Sequence, residues 1–199
     1  MRSIFWFFAG LVTAAAIMLA LAVVLLKSAD GFSVNAPATA IEAWVARQAR
    51  AAAVPEEMKH AVNPVSDSSE VLDQARAHWA DHCASCHGND GKGQAGMGQQ
   101  LYPNAPDMTQ RVTQNKTDGE LFYIVQNGVR LSGMPAWGSA HGGEQDSWKL
   151  VRFIRHLPSL SPAELQNMEK SNPKGPHERE EEQQEEQFLK GQSPQPSTH

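Results

Sequence analysis

The sequence predicts an all-α protein: one long apolar helix at the amino end, a small helical domain, and a charged tail that cannot build a core. Three observations carry this expectation. Residues 4–26 form an uninterrupted uncharged run closed by Lys27. Apolar residues recur at helical spacing over 71–79 and again over 148–157. Residues 88–108, between them, are rich in glycine and show no periodicity, with no apolar strand nearby.

The first element is IFWFFAGLVTAAAIMLALAVVLL, preceded by Arg2. As a helix it reaches roughly 35 Å, enough to cross a hydrocarbon core of about 30 Å. Phe5, Trp6, Phe7 and Phe8 cluster at one end, as an interfacial aromatic belt does. A buried soluble helix is rarely apolar all round for so long. A cleaved signal peptide competes, but its apolar core is usually shorter and its small-residue cleavage site closer. Here the nearest such sites, Ala36-Pro37-Ala38 and Ala38-Thr39-Ala40, lie well beyond the run. The expectation is an uncleaved anchor over 1–27, with Arg2 inside and everything after Lys27 exported. The net charge of −5 argues against a nucleic-acid binder, which usually shows a basic face.

Residues 28–66 read as a tether and a membrane-proximal helix. SADGFSVNAPATA is small and polar, IEAWVARQARAAA favours helix, and Pro55 and Asn63-Pro64 break the chain. A compact domain is expected over 67–160. Asp67 and Glu70 resemble a capping box, and Val71, Leu72, Ala75 and Trp79 then share a face that runs into Cys83. Residues 88–108 read as a long loop. Thr117 and Glu120 form a second capping box, Leu121, Ile124 and Val125 line the helix that follows, and Asn127-Gly128 stops it. Trp148, Val151, Ile154 and Leu157 stripe a third helix over 144–157, ended by Pro158. Residues 161–199 read as a disordered acidic tail. Within it EREEEQQEEQ, residues 178–187, reads as a solvated helix or an acidic docking segment.

HCASCHGNDG, residues 82–91, holds both cysteines, Cys83 and Cys86, with His87 directly after them. Four chemistries compete. A disulfide across so short a step closes a tiny loop and adds little. A thioredoxin-like pair wants a βαβ setting. Zinc needs four ligands, and His78 and His82 on the preceding helix would have to complete the set. The fourth is covalent haem attachment, whose pattern is C-x-x-C-H. Two thiols on one turn reach two vinyl groups of a porphyrin, and His87 can then ligate the iron.

A second iron ligand would make an electron-transfer site, and methionine there raises the reduction potential. The candidates are Met97, Met108, Met134 and Met168, with His141 and His156 as nitrogen alternatives. Met134 lies in LSGMPAWG, where Gly133 permits close approach and Pro135 fixes the turn. Trp137 can cover a haem edge. Met108 and Met168 read as core filler, Met97 as a loop residue, His141 as a surface residue, and His156 as a helix-end residue.

Together CHGNDGKG at 86–93, SGMPAWG at 132–138 and WKLVRFIRHL at 148–157 make the chain resemble the class I mono-haem c-type cytochromes of bacteria. The resemblance covers about residues 67–160. It implies a small all-α globule in which the first and last helices cross, with one haem c in a crevice held by Cys83, Cys86, His87 and Met134. It departs at Gly96-Met97, where relatives often carry Gly-Pro, and leaves Pro103 or Pro106 as the loop's acceptor for the histidine's second ring N–H. The implied role is a single-electron carrier, not itself an enzyme, on the periplasmic side of a bacterial inner membrane. It would meet redox partner proteins of a respiratory or dehydrogenase chain. The alternatives are a cytochrome subunit bound in an oxidase or dehydrogenase complex, and a haem-based ligand sensor.

Overall fold

The computed structural model describes residues 2–28, 33–34, 36–138, 143–174 and 189. His141 and the acidic stretch 178–187 lie outside the described residues. Those described form helices and loops with no strand.

Helix α1, Arg2–Ser28, is long and apolar enough over Arg2–Val24 to cross a membrane, and that stretch is not buried against the other described residues. Helix α2, Ala40–Ala53, starts at Thr39, whose hydroxyl accepts from the Glu42 N–H while the Glu42 carboxylate accepts from Thr39 N. A short α3, Glu56–Lys59, follows.

The domain is built on the crossing of α4, Ser69–His78, with α9, Gly143–His156. This is the crossing the resemblance implies. Ala75 and Trp79 come from one side, and Leu150, Val151, Phe153 and Ile154 from the other, all almost fully buried. The expected pairing of faces is met through Phe153, whose ring centroid lies 5.4 Å from that of Trp79. Trp148 turns instead to α8, Asp118–Asn127, which follows the short α7, Arg111–Gln114, and stacks on Phe122 at 4.1 Å. The α8 cap forms as the Thr117–Glu120 pattern predicts, and Gly128 ends the helix with φ +67°. Arg155 ties α9 to the start of α8: its Nε donates to Asp118 Oδ1 at 2.9 Å, and its other nitrogens donate to the Gln114 and Lys116 carbonyls.

Three boundaries differ from expectation. The α4 cap is Ser68, whose Oγ accepts from Val71 N, rather than Asp67. Residues 54–66 are no tether: Val54 and Asn63 are buried, Asn63 Nδ2 donates to the Trp148 carbonyl at 3.0 Å, and Arg152 clamps the Val65 carbonyl with two bonds. The disordered tail expected from 161 is corrected over Pro162–Ser171, which form helix α10. Its capping box joins Ser161 and Glu164, and Met168 is buried at 1% exposure against the same core.

Glu164 also fastens α10 to the two crossing helices, at 2.8 Å from His156 Nε2 and 3.5 Å from Arg76. The N–H of Ser161, its hydroxyl and His156 hold this carboxyl down to about 2, from an ordinary 4.5, against the opposing effect of burial. A depressed folded-state value means stability that is complete above pH 4.5 and lost as pH falls toward 2. Glu164→Gln keeps an oxygen for the cap but removes the charge that faces His156 and Arg76, and should therefore cost about 1 kcal/mol or less at pH 7. It should also flatten the acid limb of a stability–pH profile measured by thermal unfolding between those two values.

Candidate haem site

The helix carrying the cysteines is not continuous. After α4 the backbone widens into a π-turn, Trp79–Cys83, in which the Ala84 N–H reaches back to the Trp79 carbonyl. The chain tightens again into α5, Ala84–His87. Such single π-turns often mark functional sites. Here the turn ends at Cys83 and re-aims Cys86 and His87 after it. Cys83 and Cys86 fall on one face at helical i, i+3 spacing, and no disulfide joins them. Burial, helped by the neighbouring Cys86, pushes the Cys83 thiol up to about 12. It is therefore protonated at neutral pH, unlike a redox-active or zinc-bound thiolate. Among the described residues no group of three or more His, Cys, Asp or Glu side chains is placed to hold a metal.

His87 is largely buried. Desolvation lowers its pKa, and the Pro106 backbone opposes that shift. The ring is thus neutral at pH 7 and offers a nitrogen lone pair. Its Nδ1 is buried without a hydrogen bond of normal geometry. Of the two prolines left open by the sequence, Pro106 is the one that acts on this ring. The main chain around His87 is locked. Gly93 N donates to the His87 carbonyl at 2.8 Å, and Trp79 Nε1 donates to the Gly88 carbonyl at 3.0 Å.

The loop after His87 folds back on the cysteine turn. It contains one short helix that sequence patterning missed, α6, Gly96–Gln99. A Cβ on Gly98 would overlap the Cys86 carbonyl oxygen, and one on Gly93 would overlap the Ala105 carbonyl. Both positions need glycine for close backbone approach. The return is fixed by Met108 N, which donates to the Gly91 carbonyl at 2.8 Å.

Met134 sits in a second loop, stitched to the end of α8. Val129 N donates to the Met134 carbonyl, Trp137 N to Val125 and Gly138 N to Gln126, each at 3.1 Å. Ser132 Oγ donates to the Val129 carbonyl and accepts from Met134 N. Met134 is half-buried and packs against the core. The other candidates are placed elsewhere. Met97 is 58% exposed on α6, Met108 and Met168 are core residues as expected, and His156 is engaged by Glu164 and Ser159.

One link between the two loops was not read from the sequence. The Trp137 ring stacks on His82 at 5.4 Å and 29°, and His82 meets His78 edge-on at 5.0 Å. The residue three after Met134 thereby packs on the residue just before Cys83. The only available signal was the adjacency of aromatic rings to each motif.

Residues 70–154 match the family model described as cytochrome c oxidase, cbb3-type, subunit III. This segment belongs to the c-type cytochromes. Cys83, Cys86, His87 and Met134 all lie within it. Helices α1 to α3 and α10 lie outside. A cytochrome c domain implies haem c with iron, and the residues present fit that group. Both thiols lie on one face, and a neutral, largely buried imidazole follows them.

The close approach of Gly98 to Cys86 has a measurable consequence. Gly98→Ala should shift the loop off the cysteine turn and cost about 1–3 kcal/mol, as overpacking typically does. The yield of haem-loaded cytochrome, read from the absorption of purified protein, should fall with it. Gly96→Ala meets open space and should change neither quantity.

Proposed function

We propose that this cytochrome is a membrane-anchored single-electron carrier with one covalently bound haem c. Cys83 and Cys86 would hold the porphyrin, each thiol adding its sulfur and hydrogen across one vinyl group. His87 and Met134 would be the axial iron ligands. When bound, the haem iron supplies the one-electron Fe(III)/Fe(II) couple.

The observation that carries this reading is the turn itself. The protonated Cys83 thiol, the Cys86 thiol and a neutral buried imidazole share it, and the His82–Trp137 stack joins it to the methionine loop. The His87 and Met134 backbones are held by hydrogen bonds to fixed neighbours. Little has to reorganise when the iron charge changes, and that suits electron transfer better than ligand exchange. Helix α1 supports a single-pass anchor with the domain on the periplasmic side of a bacterial inner membrane.

The family model supports one refinement. It describes the third subunit of a cbb3-type oxidase, which favours a place in an oxidase complex over a free shuttle. Extraction with a mild detergent should then co-purify the cytochrome with further oxidase subunits. Recovery as a lone polypeptide would favour the shuttle.

Covalent attachment is tested directly. Haem should stay with the polypeptide through acid–acetone extraction, and Cys83→Ser with Cys86→Ser should abolish that. Axial ligation has its own test. Met134→Ala should lower the reduction potential, remove the methionine–iron charge-transfer band and allow carbon monoxide to bind, whereas Met97→Ala should do none of these. Unmodified protein that binds carbon monoxide quickly and lacks the band would transfer the case to a ligand sensor.

A further inference from the structure

Helix α2 is amphipathic, but it faces the wrong way for a helix packed on a domain. Ile41, Trp44, Val45, Gln48 and Ala52 share one face by their i, i+3, i+4, i+7, i+11 spacing. All are exposed: Ile41 at 75%, Trp44 at 58%, Val45 at 50%. The half-buried positions, Ala43 and Arg50, lie on the opposite face. Glu42, on a flank, interacts with Tyr102 in the loop that follows α6. The helix thus meets the loop after α6 through Glu42 and presents its bulky apolar side outward.

We propose that this outward face lies in the surface of the phospholipid bilayer that α1 crosses, so that α2 is an interfacial helix. The proposal rests on the reading of α1 as an anchor. Three features favour lipid over a protein partner. Residues 29–39 alone separate α1 from α2 and span at most about 40 Å even fully extended, so α2 is confined near the membrane. Its charges complement anionic headgroups: Arg47 flanks the apolar face with Arg50 beyond it, and the single carboxylate, Glu42, is engaged by Thr39 and Tyr102. Trp44 lies at the edge of the apolar face nearest Arg47, and tryptophan favours the interface between hydrocarbon and water.

The test uses the full haem-loaded chain in vesicles of phosphatidylcholine and phosphatidylglycerol. Single cysteines introduced as Val45→Cys, Ala46→Cys and Leu19→Cys would each carry a nitroxide, with Cys83 and Cys86 held as thioethers. Power-saturation spectroscopy then compares access to oxygen, which partitions into lipid, with access to a water-soluble nickel chelate. Position 45 should show an oxygen-to-nickel ratio several-fold above that of position 46, its neighbour on the other face. Position 19 reports the anchor independently. If 19 is lipid-immersed while 45 is as open to nickel as 46, the interfacial helix is overturned and its apolar face belongs to a protein partner. If 19 is itself open to nickel, the anchor fails and this inference fails with it.

Discussion

The indole of Trp79 has to satisfy three neighbours at once. Its ring packs on Phe153 at 5.4 Å, where α4 and α9 cross, and lies 5.8 Å from the ring of His87. Its N–H donates to the carbonyl of Gly88, the residue that turns the chain away from the haem motif with φ +75°. One buried side chain therefore couples the helix crossing to the position of the histidine. A phenylalanine here would keep the packing and leave the Gly88 carbonyl without its partner, a loss of roughly 1–3 kcal/mol when such a group stays buried. The π-turn that starts at Trp79 follows from the same demand. An unbroken α-helix from Ser69 would carry the cysteines in a different direction once Trp79 is seated in the crossing.

The methionine loop depends on this arrangement at one remove. Its backbone is bonded to the last turn of α8, and α8 is itself held to α9 by Arg155 and by the stacking of Phe122 on Trp148. The stack of Trp137 on His82 then closes the circuit back to the cysteine turn. Both proposed axial residues are thus referenced to α9 by separate routes and to each other by a third. A redox centre gains from such redundancy, because a shift in either loop would change the ligand field and the potential with it.

What was legible in the sequence had a local cause. Cys83, Cys86 and His87 announce themselves by spacing, and Thr117 with Glu120 by the reciprocal bonds of a capping box. Gly128 is legible because only glycine easily takes a left-handed stop. The illegible parts are set by partners far along the chain. The π-turn depends on Phe153, Asn63 is recruited by the Trp148 carbonyl, and the stack on His82 needs a ring from residue 137. Helix α10 is an intermediate case. Ser161-Pro162-Ala163-Glu164 is a good start signal, with the serine cap, proline at the first turn and glutamate three residues on. It was missed because only one residue of the helix, Met168, is buried, so no apolar period followed the cap.

These missed segments explain how so small a domain acquires enough core. Small domains bury a low fraction of their surface, and a crossing of two helices of modest length closes only one side of the interior. The strap at 54–66 covers that crossing near Trp148, where Asn63 and the Val65 carbonyl engage α9. Helix α10 covers it near Arg76 and the π-turn. Neither lies within the matched segment 70–154, yet each contributes buried side chains to the structure, Val54 from the first and Met168 from the second. The strap has a further consequence. It is the direct continuation of α2, so the exposed helix and the peptide clamped by Arg152 are one stretch of chain. A force that seats α2 would be transmitted to α9 through the Asn63 and Val65 hydrogen bonds rather than through a slack linker, so on the proposed reading the domain would be held in place at the membrane instead of merely kept near it.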